Sequence, residues 1–334
     1  MSVDWKRGIN LLRKGFRKQG LPVYWHKHSP HTYQVWQHCV MLVFCRRYCD
    51  SYTEFVEWLP NSKLPEYIGL KAIPDEGTLC KEEKRLKPFL EAVAIMIVLP
   101  LLPKSFVAGA DMTGLQTKRR SAYYIKRILG VYSRRGFARL EFLVWKCFIL
   151  GWELRLTRKD ELAMLKSLWK KIKKKPTTLV YDKKGDSEAH HEWLEEQGIK
   201  SIAPVRKNGK RGRLRRRLMK NFPQKTYNKR NRNENVNYVF KNKNGDALSA
   251  YTVVGRRAEI ATKVLSHNLW IRLKILIDEL FNNTYRNGVR QKIMSLKNIR
   301  MINNLFSISF KYKLLSTIPL ANPSFSKHFS NLVY

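Results

Sequence analysis

The stretch Thr177–Val205, TTLVYDKKGDSEAHHEWLEEQGIKSIAPV, has the pattern of a strand, a helix and a second strand. TTLVYD is a short run of β-forming residues that ends in an acid, Asp182. SEAHHEWLEEQG predicts a helix with Ser187 as its N-cap and Gly198 as its stop, and IKSIAPV predicts the next strand. Because strands that alternate with helices are typical of α/β domains, we expect this fold class.

The segment before this stretch predicts further strands. FVAGADMTGL, residues 106–115, is a β-like run that we expect to end at Asp111. GFARLEFLVWKCFILGWELRLT, residues 136–157, predicts two strands joined at Leu150-Gly151. KDELAMLKSLWKKIKKK then predicts an amphipathic helix with a basic end, since its apolar residues recur at helical spacing. The order of elements therefore indicates a mixed α/β domain.

The charge balance points to a polyanionic partner. The 334 residues include 65 Lys and Arg against 26 Asp and Glu, a formal net charge of +39. An excess this large predicts binding to nucleic acid. We expect no membrane association, because the longest apolar run, Ala92–Leu102, has eleven residues where a membrane span needs roughly 20. Five Cys without a disulfide framework suit a reducing compartment, so we expect the cytoplasm and an association with the nucleoid.

A strongly basic segment follows Val205. RKNGKRGRLRRRLMK, residues 206–220, contains nine Lys or Arg and no acid. We expect this segment to be a loop that contacts DNA phosphates, because Lys and Arg side chains neutralise the backbone charge. The arginines predicted to make these contacts are Arg211, Arg213, Arg215, Arg216 and Arg217.

The segment YNKRNRNENVNYVFK begins at Tyr227, ends at Lys241 and predicts a helix. Glu234 is the only carboxylate among residues 198–244, which contain sixteen Lys and Arg. Tyr227, Arg230, Glu234 and Lys241 lie within about 60° of one another around the helix axis. One alternative is a solvated basic helix in which Arg230 and Glu234 form only an intrahelical ion pair.

Three carboxylates on separate elements favour metal-dependent chemistry. Asp111, Asp182 and Glu234 supply the oxygen ligands that Mg²⁺ prefers. A site of this type can hold two Mg²⁺ ions, with Mn²⁺ as an alternative, and serves in-line displacement at phosphorus. A basic surface around the acids would compensate the charge of a DNA phosphodiester. The residues therefore predict cleavage or transfer of DNA strands.

Four motifs resemble those of a known family. The spacing Tyr-x2-Arg-x3-Glu-x6-Lys, present from Tyr227 to Lys241, resembles the signature around the third acid in DDE transposases of bacterial and archaeal insertion sequences. DMTG resembles the first-acid motif of this family, and YDKKGDSEAHHEWLEEQGI resembles its second-acid motif. KNGDALSAYTVVGRRAEIATKVLSHNLWIRL resembles the usual continuation after the third acid. The similarity covers roughly residues 40–273.

This resemblance implies an RNase H-like catalytic core of the retroviral-integrase type, with a mixed five-stranded sheet flanked by helices. The catalytic residues and metal ligands that it implies are Asp111, Asp182 and Glu234. The contacts to transposon-end DNA that it implies are Tyr227, Arg230 and Lys241. The second motif also contains Asp186, and we favour Asp182 over Asp186 because Asp182 ends the strand.

We expect three regions along the chain. Residues 1–88 predict a helical domain, either a DNA-binding module or a bundle packed on the main domain. Residues 89–273 form the predicted catalytic domain. Residues 274–334 form a basic extension in which no motif indicates a role.

The resulting hypothesis is a transposase with endonuclease activity. It would bind the terminal inverted repeats of its element, cut a strand by hydrolysis and join the 3′ end to target DNA by transesterification. Its partners would be double-stranded DNA, at the element ends and the target, and further copies of itself in a dimeric or larger synaptic complex. Two alternatives are an RNase H-like metal-dependent nuclease and a decayed, non-catalytic DNA-binding transposase.

Overall fold

A five-stranded sheet lies at the centre of the protein. The computed structural model describes residues 2–28, 30–117, 137–156, 161–207 and 211–286. In these residues the strand order across the sheet is β3-β2-β1-β4-β5. The strands are β1 (Val107–Gln116), β2 (Phe137–Trp145), β3 (Phe148–Arg155), β4 (Thr178–Val180) and β5 (Lys200–Ile202).

The sheet is mixed, as predicted. β1, β2 and β3 pair in antiparallel fashion, whereas β4 pairs in parallel with both β1 and β5. The connections between the parallel strands run through helices, as parallel pairing requires. The α/β class and the mixed five-stranded sheet are therefore confirmed.

The hairpin between β2 and β3 differs from the prediction. We expected the turn at Leu150-Gly151, but it lies at Lys146-Cys147, where Lys146 adopts a positive φ of 53°. Gly151 instead lies within β3, next to a β-bulge where the pairing register shifts. A side chain at this position would meet Leu168 Cδ1 at 2.9 Å. The glycine thus permits close helix packing rather than a turn.

Five helices precede the sheet. They are α1 (Ser2–Lys18), α2 (Val35–Tyr48), α3 (Tyr52–Trp58), α4 (Leu64–Ile68) and α5 (Glu76–Met96). α2 is buried along nearly its whole length, in keeping with its mostly apolar sequence, VWQHCVMLVFCRRY. α2 packs against α3, α5 and a later helix, α10 (Asn231–Asn244), so the region before the sheet shares its core with the sheet domain.

Helices cover both faces of the sheet. The remaining helices of the described residues are α6 (Glu161–Trp169), α7 (Glu188–Glu196), α8 (Arg213–Lys220), α9 (Gln224–Tyr227) and α11 (Val253–Arg286). Leu168 of α6 packs over Gly151 on one face, whereas the ring of Phe240 in α10 meets Phe142 on the other, with centroids 4.9 Å apart.

The structure tests the loop predicted for the basic segment, residues 206–220, but not the predicted C-terminal extension. The basic segment after Val205 is not all loop, because Arg213–Lys220 forms α8. The Glu188 carboxylate accepts hydrogen bonds from the backbone N–H groups of Leu214 and Arg215 and so caps this helix. Of the predicted C-terminal extension, residues 274–334, the part after residue 286 lies outside the described residues.

Val3–Ile275 form one compact unit. The predicted boundary at residue 88 falls inside α5, and the one at residue 273 falls inside α11. The division into three regions stays a prediction. None of the helices in the described ranges is long and apolar enough to cross a membrane.

Asn268 on α11 joins three elements of the core. Its fully buried amide donates hydrogen bonds to the carbonyl oxygens of Ala94, at 3.0 Å, and Ile149, at 2.8 Å. Its Oδ1 accepts from the backbone N–H of Ile149 at 3.0 Å. These bonds tie α11 to the end of α5 and to the start of β3.

We expect Asn268→Leu to lower the free energy of unfolding by about 3 kcal/mol, because three buried backbone groups lose their partner. Urea unfolding followed by circular dichroism measures the change. The matched control is Asn235→Leu on the exposed face of α10, which should change stability by less than about 0.5 kcal/mol. Equal stability of the two variants would contradict the role given to Asn268.

Candidate functional site

Two acids lie at matching positions on neighbouring parallel strands. The last parallel pair between β1 and β4 joins Gly109 to Val180. Asp111 and Asp182 each follow this pair by two residues, so the two chains bring them to one edge of the parallel pairing. The predicted end of β1 at Asp111 is wrong. The strand continues to Gln116 because β2 pairs with it up to that residue.

α10 lies directly against β1 and brings the third acid. Gly109 has no side chain, and an added Cβ would overlap the amide of Asn233, which is itself buried. The same helix is fixed on β2 through Phe240 and Phe142. This packing places Glu234, the residue after Asn233, beside the strand that carries Asp111.

The predicted single helix is built from three joined helical segments. Tyr227 ends α9, Arg230 ends a 3-10 turn (Asn228–Arg230), and α10 contains both Glu234 and Lys241. The backbone of Tyr227, Asn228, Arg230 and Asn231 stays in the right-handed helical region, so the chain keeps its helical course. The four motif residues therefore remain on one continuous helical path.

Arg230 contacts two of the three acids. Its Nη1 lies 2.9 Å from Oε1 of Glu234, and its Nη2 lies 3.8 Å from Oδ1 of Asp182. Only 17% of the Arg230 side chain is exposed, against 33% for Asp182 and 57% for Glu234. Burial lowers the pKa of Arg230, but Asp182, Tyr227, Asp111 and Glu234 outweigh that effect and raise it overall. The guanidinium is thus the shared counter-ion of the acids.

Asp111 is the most enclosed acid of the group. Burial raises the pKa of its carboxyl, the Arg230 charge opposes that rise, and the nearby Asp182 and Glu234 add to it. Asn237, one turn after Asn233, donates a hydrogen bond from Nδ2 to Oδ2 of Asp111 at 2.9 Å. Sequence analysis did not single out Asn237. Its position three residues after Glu234 makes the two side chains neighbours on the helix surface.

Tyr227 and Lys241 lie at the two ends of this face. The Tyr227 ring packs edge-on against Phe222, with centroids 5.2 Å apart, and partial burial raises the pKa of its hydroxyl. Lys241 is half-buried and lies two helical turns beyond Glu234, about 10 Å along the axis. Tyr227 and Arg230 are therefore close to the acids, whereas Lys241 is further along the helix.

The three carboxylates form a donor set that suits Mg²⁺, which takes hard oxygen ligands. Their mutual influence on pKa places them in one electrostatic neighbourhood. In the described ranges, however, no three His, Cys, Asp or Glu side chains are grouped closely enough to hold a metal ion. The acids surround the Arg230 guanidinium instead, so the structure brings them to one place without bringing their oxygens together.

Asp186, the alternative second acid, is occupied by internal contacts. Arg215 donates to both of its oxygens, at 2.8 and 2.6 Å, and the backbone N–H of Arg206 donates to Oδ2 at 2.8 Å. Burial raises the pKa of Asp186, but these hydrogen bonds outweigh it and lower the pKa overall. His191 Nε2 lies 3.5 Å from the same carboxylate. Asp186 is buried, whereas the carboxylate of Asp182 is partly exposed beside Arg230.

The predicted phosphate-binding arginines fall into two groups. Arg215 is directed inward to Asp186, whereas Arg213 and Arg217 pair with Glu195 at the surface and stay largely exposed. Arg211 and Arg216 are exposed, and Arg216 bonds only the backbone of Gly212 among the contacts of the described residues. The binding of these arginines to DNA stays a prediction. Among them, Arg215 is the least accessible to a DNA phosphate, because its guanidinium pairs with Asp186.

Comparison with protein families gives a match to the family model described as "Transposase DDE domain", over residues 148–269. This match supports a DDE-type transposase. The match begins at β3, ends in α11 and includes Asp182 and Glu234. The predicted recognition is therefore confirmed, while Asp111 lies before the matched segment. The DDE transposase family acts on DNA and generally depends on divalent metal ions.

No curated protein and no solved structure matches the chain significantly.

We expect Gly109→Ala to move α10 away from β1, because the new methyl group would overlap the buried amide of Asn233. The free energy of unfolding should fall by about 1–3 kcal/mol. Gly114→Ala on the same strand is the matched control, since its methyl group would lie 3.8 Å from Phe137, an ordinary contact. Urea unfolding of both variants tests this, and equal stabilities would contradict the close approach.

We expect Arg215→Met to destabilise the protein by on the order of 3 kcal/mol, because it leaves the buried Asp186 carboxylate without its charged partner. Arg216→Met, the matched control one residue later, should have little effect on stability because Arg216 is exposed. Thermal unfolding at pH 7 compares the two. If both variants melt together with the wild type, the Arg215–Asp186 pair does not stabilise the fold.

Proposed function

We propose that the protein is a transposase that binds the terminal inverted repeats of its element and catalyses Mg²⁺-dependent DNA cleavage and strand transfer with Asp111, Asp182 and Glu234. The observation that carries this proposal is the position of Arg230. Its guanidinium lies beside an acid that follows β4 and an acid on α10, and it interacts with the acid on β1. A cluster of like charges assembled from three elements is costly unless cations bind there.

The arrangement of the sheet supports an RNase H-like core. The strand order β3-β2-β1-β4-β5 combines an antiparallel three-stranded unit with two parallel strands. The first acid lies on β1, the second follows β4, and α10 packs across β1 and β2 with the third. Residues 1–88 are proposed to contribute to DNA binding as a helical N-terminal region.

The proposed reaction is two in-line displacements at phosphorus. In the first, a water oxygen bonds to phosphorus and the bond to the 3′ oxygen breaks, which releases a 3′-hydroxyl and a 5′-phosphate. In the second, the oxygen of this hydroxyl bonds to a phosphorus of the target DNA and the bond from that phosphorus to the target 3′ oxygen breaks, which leaves a 3′-hydroxyl on the target strand. Divalent cations, when bound, supply stabilisation of the charge that develops on the transferred phosphoryl group. Asp111, Asp182 and Glu234 would hold those cations.

The basic residues around the acids would hold the DNA. Tyr227, Arg230 and Lys241 are proposed to contact the backbone of the element end near the cleaved phosphate. Arg211 and Arg216 are exposed and would extend this contact, in keeping with the formal net charge of +39. Pairing of two element ends requires at least a dimer in the synaptic complex.

We expect Asp111→Asn, Asp182→Asn and Glu234→Gln each to lower Mg²⁺-dependent cleavage of a labelled end-sequence duplex by about 10³-fold, because each removes a ligand charge worth several kcal/mol at the transition state. DNA binding measured without metal should persist. The control is Glu196→Gln, which neutralises an exposed acid on α7 away from the three.

Intact cleavage by any of the three variants, with DNA binding retained, would refute the proposed catalytic residues. Incubation of a pre-cleaved end with target DNA separates transposase from nuclease. Joined products are expected, whereas hydrolysis products alone would favour a metal-dependent nuclease.

A further inference from the structure

Asn237 contacts the most enclosed acid of the proposed site. Its Nδ2 lies 2.9 Å from Oδ2 of Asp111, within normal hydrogen-bond distance. The amide nitrogen is the group that faces the acid, because the amide carbonyl has no hydrogen to donate to a carboxylate. One oxygen of Asp111 is thereby fixed, which restricts rotation of the whole carboxyl group.

The amide carbonyl of Asn237 does not take part in the contact with Asp111. Its Oδ1 is buried and has no hydrogen-bond partner among the described residues. A buried acceptor without a partner is unfavourable and is often explained by a bound ion or water. Amide oxygens are also accepted ligands of hard cations. The unpaired oxygen thus belongs to the same amide group whose nitrogen holds Asp111.

The position of Asn237 on α10 is fixed by the same packing that fixes Glu234. Asn233, one turn before Asn237, fills the space above Gly109, and Phe240, three residues after it, packs against Phe142. Asn237 therefore cannot shift without moving the helix. A single helix sets both the location of Glu234 and the orientation of Asp111.

We propose that Asn237 is a positioning residue that holds the Asp111 carboxylate for cation binding and offers its own carbonyl oxygen to the same site. This inference rests on the proposed function, because it assumes that Asp111 belongs to the cation site. Asn237 is not one of the four motif residues between Tyr227 and Lys241. It joins Asp111 on β1 to the helix that carries Glu234.

The test is Mn²⁺ binding to the full chain without DNA, measured by electron paramagnetic resonance of free Mn²⁺. Asn237→Leu keeps a similar volume and removes both polar atoms, and Asn237→Ala serves as a second variant. We expect either change to weaken Mn²⁺ binding by about 10–100-fold, as loss of an outer-shell partner does. Thermal unfolding verifies that each variant is folded, and DNA binding without metal should stay within about twofold of wild type.

Asn235→Ala is the matched control, because Asn235 is exposed on the same helix and should leave Mn²⁺ binding unchanged. Unchanged Mn²⁺ affinity in a folded Asn237 variant would overturn the inference. Equal losses in the Asn235 and Asn237 variants would overturn it as well, since the effect would then not depend on contact with Asp111.

Asp111→Asn separates this inference from the proposed function. If Asp111→Asn abolishes Mn²⁺ binding and the Asn237 variants do not weaken it, only the role of Asn237 fails. If Asp111→Asn leaves Mn²⁺ binding intact, the proposed cation site itself fails, and the inference about Asn237 fails with it.

Discussion

The close approach of α10 to β1 is the constraint on which the candidate site depends. Gly109 has no side chain, so the buried amide of Asn233 can lie where a Cβ would otherwise be. Interiors are packed at near-crystal density, so this contact fixes the helix height over the strand to within a fraction of an ångström. The position of Asn233 also determines where Glu234, the next residue, lies. It likewise determines the contact between Asn237 and Asp111.

Electrostatics then determines how the acids are held. Asp111 is enclosed, and its carboxyl pKa is raised by burial and by the neighbouring acids. The Arg230 guanidinium compensates part of this charge by lying between Asp182 and Glu234. The same residue is proposed to contact DNA, so the balance of charge at the site would change when phosphate and divalent cations bind. Acids already gathered around one positive group suit the cation chemistry proposed for this site.

The basic helix α8 illustrates how internal contacts divide a run of similar residues. Arg215 completes a buried pair with Asp186, and Glu195 pairs with Arg213 and Arg217. Arg213, Arg216 and Arg217 all stay exposed on the same helix, and only Arg215 is directed inward. Composition alone predicts phosphate binding for all of them, because it does not contain the three-dimensional positions of Asp186 and Glu195. The occupied Asp186 also supports Asp182 as the second acid in the proposed site.

The sequence by itself determined the α/β class, the alternation of strands and helices after residue 106, and the resemblance to DDE transposases, because periodicity and motif spacing are local properties of the chain. It placed the hairpin turn at Leu150-Gly151, since glycine favours turns, and only the sheet register revealed that Gly151 makes room for Leu168 instead. It ended β1 at Asp111, whereas pairing with β2 carries the strand on to Gln116. Tertiary structure alone decided which asparagine meets Asp111, because that contact joins residues 126 positions apart in the chain.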